Sequence, residues 1–222
     1  ISEEKQKEIL QKYDPESNTR DLAGIMKHIV FFGLLAFSIF QLYTAIFGQY
    51  TAYIQRSIHL GFALSLIFLL FPAVKRKGIK HKVAIYDYVL ALLAIGVGLY
   101  WPIMYDDLVF RLGRVTELDL IVGILAILLT LEATRRAVGL PITVIASAFL
   151  AYAFFGPYFP GFLKHRGQDL DSVIQLMFYT TDGILGTPIS VSATFIFVFL
   201  LFGAFLVKTG VGQYFNDLAV SL

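Results

Sequence analysis

Cysteine is absent from the 222 residues. That removes disulfides, thiolate metal sites and cysteine nucleophiles from consideration. Charge is scarce too: Asp, Glu, Lys and Arg make up 15% of the chain, where soluble domains carry about 25%. The net charge of +2 comes without the clustered basic face that a nucleic-acid partner requires, so none is expected. Histidine is confined to His28, His59, His81 and His165, at spacings that set no two on one helix face for a metal. Glycine-rich phosphate loops, nucleophile elbows and HExxH are missing as well. No catalytic, metal-binding or cofactor-binding residue is therefore assigned, and an enzyme is not expected.

What remains is apolar. Hydrophobic residues make up 57% of the chain, mean hydropathy is +0.72, and the apolar residues come in blocks. Six blocks approach the roughly 20 residues that a membrane-spanning helix needs. They run over about 28–47, 57–74, 83–104, 118–133, 138–155 and 188–207, the fourth being the shortest. Backbone groups in hydrocarbon must be satisfied within their own segment, and no alternating barrel pattern is present, so these blocks predict helices.

Two further segments are amphipathic. Residues 2–13 predict a polar helix, with Ser2 as N-cap and Glu3–Lys7 and Glu8–Lys12 pairs, broken at Asp14-Pro15. Leu170, Val173, Ile174, Met177 and Phe178 share one face of a short helix over 169–180. That face is suited equally to the membrane interface or to packing on other spans. The turn GILGTP leads into the sixth block. The expected fold class is an all-α polytopic membrane protein, with about six transmembrane helices, an N-terminal arm and one interfacial helix.

Lys and Arg in short loops set orientation. With the N-terminus inside, only Arg56, Arg111, Arg114, Lys164 and Arg166 of the 18 basic residues fall outside. Tyr50, Tyr53, Tyr100, Trp101, Tyr105, Phe155, Tyr158 and Phe159 then line the outer interface, where amphipathic rings settle. The expected setting is a multi-pass protein in a lipid bilayer with a cytoplasmic N-terminus.

Ionisable residues inside a span are functional candidates by default, and mid-span positions carry no charge. Asp87, one turn into the third block, is expected as an interfacial anchor or a partner of Lys82. His59 is expected as an interfacial hydrogen bonder. Thr116 predicts an N-cap for the fourth helix, with Asp119 favouring the same N–H groups. Asp182-Gly183 reads as a turn.

The charges that stand out are Glu132, Arg135 and Arg136 in LEATRRAVGLPI, residues 131–142. Both arginines suit the negative end of the fourth helix, and Glu132 reaches each at i+3 or i+4. Gly139 and Pro141 start the next helix almost at once, so the three charges mark a tight hinge.

The stretches LEATRRAVGLP, AYAFFGPYFPGFLKHRG and DGILGTPISVSATFIFVFLLFGAFLVKTGVG resemble the fused membrane subunit of a TRAP transporter, in the branch paired with TAXI-type binding proteins. The resemblance covers nearly everything beyond residue 20 and is strongest from Leu131 to Gly212. It implies a cytoplasmic arm at 1–27, a four-span small module at 28–136 and the start of a large transport module at 137–222, with the hinge as fusion joint. It further implies an elevator symporter in a bacterial or archaeal inner membrane, in which a periplasmic substrate-binding protein delivers organic acids and sodium drives uptake.

The hairpins that hold sodium and solute in that family are expected beyond Leu222, in the remainder of the permease, so no ion or solute ligand is assigned here. Arg111, Arg114, Lys164 and Arg166 are the residues expected to dock the binding protein. A free-standing membrane scaffold or assembly subunit without transport activity is the alternative.

Overall fold

The computed structural model describes residues 19–74, 83–111 and 113–221. The helix expected over 2–13 and the basic loop at 75–82 lie outside the described residues. Within them the chain is helical, with no strand.

The helices are α1 Ile25–Phe47, α2 Ala52–Leu70, α3 Ile85–Phe110, α4 Glu117–Ala137, α5 Leu140–Phe155, α6 Leu170–Phe178, α7 Thr187–Thr209 and α8 Val211–Ser221. Two short 3₁₀ turns, Gly156–Tyr158 and Gly161–Leu163, link α5 to α6. Among the described residues five helices are long and apolar enough to cross a membrane: α1, α2, α3, α5 with its following turn, and α7. The chain is a multi-pass membrane protein.

The fourth expected span, α4, is not among these five. α4 covers the apolar stretch 118–133 but carries Glu117 and Asp119 in its first turn and Arg135 and Arg136 in its last. Those charges, with Glu132, set it apart from the five by composition, while its 21 residues still run from one end of the bundle to the other. We call the end with the α4–α5 hinge the hinge end, and the opposite end, where α1 gives way to α2, the far end.

The most buried span is also the least hydrophobic. In α2, 56% of the spanning window is buried at a hydropathy of 1.4, against 6% for α7 at 2.4. A helix enclosed by protein need not match the lipid, so it can use small and polar residues where its neighbours approach. Gly61 of α2 meets Gly98 of α3 backbone to backbone; a Cβ on Gly61 would sit 2.8 Å from the Gly98 Cα. Two residues make the crossing possible. Pro102 stands inside α3 and has no N–H for the Gly98 carbonyl four residues back. That freed carbonyl accepts the Ser57 hydroxyl of α2 at 2.9 Å. Beyond Pro102 the helix bends at Met104, with φ −102° and ψ 16°.

Around this pair the main core gathers Leu60, Leu64, Phe68, Val97, Trp101 and Ile127. α1 leans on α2 and α7 through one stripe, Val30, Phe37, Gln41 and Thr44, with the Phe37 ring stacked on Phe62 at 5.0 Å. The amphipathic helix α6 takes the packed one of its two expected settings. Its Ile174, fully buried, fills the space over Gly123 of α4, where any Cβ would collide with it.

Candidate functional site

Among the described residues three polar clusters are buried between the helices, one at each end and one between α1, α2 and α7. The hinge-end cluster grows from a problem in α2. Phe71 and Pro72 end that helix, which leaves its last carbonyls without helical donors in an apolar setting. Arginines supply them. Arg20 donates to the Phe68 and Leu69 carbonyls at 3.1 and 3.0 Å, and its backbone N–H to Leu70 at 2.7 Å. Arg136 reaches the Phe71 carbonyl at 3.3 Å and Arg135 the Ala73 carbonyl at 3.1 Å.

The same guanidiniums are neutralised by two carboxylates. Asp87, fully buried, pairs with Arg20 and, at 2.6 Å, with Arg136. Glu132 takes both Arg135 and Arg136 at 2.7 Å. Arg136 also lies over the Phe68 ring, 5.0 Å from its centroid. Three cations, two anions and the negative end of α2 thus nearly balance. Glu132, Arg135 and Arg136 do form the expected hinge cluster, and α5 does start at once, from Gly139 at φ 123°. That backbone suits glycine alone. Asp87 is corrected: it is no interfacial anchor but the buried centre of this lock, and Lys82 lies outside the described residues.

At the far end Thr116 and Asp119 form the expected cap as a reciprocal capping box. Asp119 does more than cap. It accepts from the Tyr100 hydroxyl and, at 3.0 Å, from Arg111, while its backbone carbonyl accepts the Tyr179 hydroxyl at 2.7 Å. Burial pushes the Tyr179 phenol far above the ordinary tyrosine range, which keeps it a donor. Arg111, expected as a docking residue, is therefore half committed to an internal ion pair. Arg114, Lys164 and Arg166 are exposed. Asp182 lies exposed in a turn, as its sequence implies.

The third cluster was not legible as a site. His59 is 5% exposed rather than interfacial. One ring nitrogen meets the Gln41 amide of α1, and the other meets Ser192 of α7 at 3.2 Å. Gln55 donates to Thr44 at 3.1 Å and to Gln41 at 3.3 Å. Ser192 opens a π-helical turn, Ser192–Ile196, within α7, an irregularity frequent at functional sites. Apolar packing explains none of these polar contacts. Two glutamines in otherwise greasy blocks were the available signal.

Side chains of the first four helices also hold the stretch between α6 and α7. Arg56 donates to the Leu185 carbonyl at 2.7 Å, and the Trp101 indole to the Phe178 carbonyl at 3.2 Å. With His59–Ser192 and Tyr179–Asp119 these contacts stitch residues 178–192 to α2, α3 and α4. Among the described residues no group of His, Asp and Glu side chains could hold a metal ion.

Comparison with known families bears on this seam. The family described as "Tripartite ATP-independent periplasmic transporter, DctM component" matches residues 125–222. Residues 125–222 are therefore similar to the membrane component of a TRAP transporter. The DctM match begins inside α4 and runs through α8, so it contains Glu132, Arg135 and Arg136, while Arg20, His59 and Asp87 precede it. The hinge-end lock and the His59–Ser192 contact both join the DctM portion to helices outside the match. Comparison with curated proteins and with solved structures gave no match.

Proposed function

We propose that this chain is the N-terminal, scaffold-side part of a sodium-coupled, binding-protein-dependent transporter for organic acids. It joins a small module at 28–136 to the first helices of a large transport module at 137–222. The observation that carries this reading is the seam: residues 178–192 hang on α2, α3 and α4 by hydrogen bonds of the buried His59, Trp101 and Tyr179 and the half-buried Arg56. A part fastened in this way is suited to stand still while another part moves. The barely buried faces of α5 and α7, 6% each, are where the remainder of the permease meets it.

In this reading the hinge end is cytoplasmic, as the loop arginines favour, and the far end faces the periplasm of a bacterial or archaeal cell. Arg114, Lys164 and Arg166 are the contacts offered to the periplasmic binding protein. Arg111 serves mainly to hold Asp119.

The test uses the complete permease with its binding protein in proteoliposomes. Because the described chain lacks cysteine, an introduced pair at Arg56 and Leu185 can be joined by a short bifunctional reagent. Sodium-driven uptake of an organic acid should survive that crosslink. Loss of uptake on crosslinking would show that the seam moves, and uptake indifferent to sodium would remove the coupling. Arg114→Glu should slow association with the binding protein several-fold and lose that effect at high salt, since exposed charges act mainly through screened, long-range attraction. An unchanged association rate would take this loop out of the docking surface.

A further inference from the structure

A pocket of about 90 Å³ lies at the far end, where the turn after α3 meets α6. Arg111, Gly113 and Arg114 line it from the turn, Gln175 from α6, and the buried Trp101 and Asp119 from α3 and α4. Unlike the other cavities of the molecule it is bordered by charge. Its volume is well short of the roughly 300–1,000 Å³ that a whole small molecule occupies, and is on the scale of one ion or one functional group.

What the pocket can bind follows from which of its polar atoms are already used. Asp119 is saturated. Its Oδ1 accepts from the Tyr100 hydroxyl, and its Oδ2 from the Thr116 N–H, the Thr116 hydroxyl and Arg111 Nη1, at 2.8, 2.7 and 3.0 Å. Four donors fill the four lone-pair sites of a carboxylate, so nothing is left for a cation. The Tyr179 and Thr180 hydroxyls and the Trp101 indole N–H are likewise spent on carbonyls, at 2.7, 2.7 and 3.2 Å. The arginines are not. Arg111 uses Nη1 on Asp119 and Nε on the Asp107 carbonyl at 3.2 Å, but its Nη2 has no acceptor among the described residues. Neither the Arg114 guanidinium nor the Gln175 amide has a partner among them. Gln175 Nε2 comes within 3.7 Å of where a Cβ on Gly113 would stand, so the amide faces the turn that carries both arginines. Two guanidiniums against one carboxylate leave the lining with one excess positive charge. Asp106, Asp107 and Glu117 are exposed, and their side chains do not line the pocket.

We infer that this pocket is a binding site for one carboxylate group, held by Arg111 Nη2, the Arg114 guanidinium and the Gln175 amide. A carboxylate is a monoanion, which matches the single excess charge. Its two coplanar oxygens also suit guanidinium forks in a way that a spherical chloride does not. A free small acid and an Asp or Glu side chain of a protein docked on this end offer the same chemistry. The site does not depend on the transport reading above; only a docked binding protein as its source does.

The test reads Trp101 from inside the lining. The complete permease is labelled with 5-fluorotryptophan, and the fluorine NMR signal of Trp101 is identified by its loss in Trp101→Phe. Sodium acetate should move that signal saturably, and sodium chloride at the same concentration should not. Arg114→Gln and Gln175→Ala, neither of them in the buried core, should each weaken acetate binding at least fivefold. Acetate displaced by the purified binding protein identifies an acidic side chain as the occupant, and acetate that stays identifies a free acid; both results uphold the site. No response to acetate, an equal response to chloride, or unchanged acetate affinity in both variants would each overturn it.

Discussion

Arg135 and Arg136 are adjacent in sequence, identical in chemistry and both bonded to Glu132, yet replacing them with alanine should have very different consequences. The Arg136 side chain is 1% exposed and its partner Asp87 is 0% exposed. Removing Arg136 leaves Asp87 with Arg20 alone and strips the Phe71 carbonyl of its donor. Breaking a buried pair from one side costs about 3–5 kcal/mol. The Arg135 and Glu132 side chains are 33% and 29% exposed, and pairs of that kind contribute about 0.2–1 kcal/mol.

For a chain of this size 1 kcal/mol moves the unfolding midpoint by roughly 2–4 °C. Arg136→Ala should therefore lower it by about 6–20 °C, and Arg135→Ala by about 4 °C at most. The assay is thermal unfolding of the purified protein in detergent, followed by intrinsic fluorescence. A cycle with Asp87→Ala should show strong coupling to Arg136 and little to Arg135. Equal losses for the two arginines would refute the assignment of the lock to Arg136 and Asp87.

Three other outcomes follow from the packing. Gly98→Val would place a Cβ 2.5 Å from the Gly61 Cα and should cost about 1–3 kcal/mol. Gly96→Ala, on the same helix but facing open space, should be neutral or gain up to about 1 kcal/mol; similar midpoints for the two would remove the close crossing. Ser192→Ala leaves one His59 nitrogen without its partner and should cost about 1–2 kcal/mol. It should also weaken crosslinking between α2 and α7, and an unchanged crosslinking yield would argue against the seam. Tyr179→Phe deletes a 2.7 Å hydrogen bond to Asp119 and should cost about 0.5–1.5 kcal/mol in the same unfolding assay; no loss at all would mean the bond is not formed.

Helix type and most span positions were legible in the sequence because hydrophobic length is a strong, local signal. The hinge charges were legible for the same reason: Glu132, Arg135 and Arg136 lie three or four residues apart on one helix. Thr116 and Asp119 announced their cap by a spacing of three. The lock around Asp87 was not legible, because Arg20 and Arg136 lie 67 and 49 residues away. Nothing local distinguishes a carboxylate bound for the core from one at the interface. His59 misled in the same way, since its position near the start of an apolar block suggests exposure, whereas burial depends on where α1 and α7 settle. The reduced hydropathy of α2 was visible all along, and it marked the helix enclosed by the others.

The way α2 ends carries a consequence for how the protein is made. Its last carbonyls take donors from Arg20, which is synthesised before it, and from Arg135 and Arg136, which are synthesised after α3 and most of α4. At about 5–20 residues per second the ribosome needs roughly 2–10 s to travel from residue 87 to residue 136. Throughout that interval the α2 terminus and Asp87 lack the donors supplied by the two later arginines, and these polar groups must stay where water can reach them. The small bundle can therefore insert early but close late. Arg136, beside the α4–α5 hinge, is the residue whose arrival lets the packing of α2 and α3 finish.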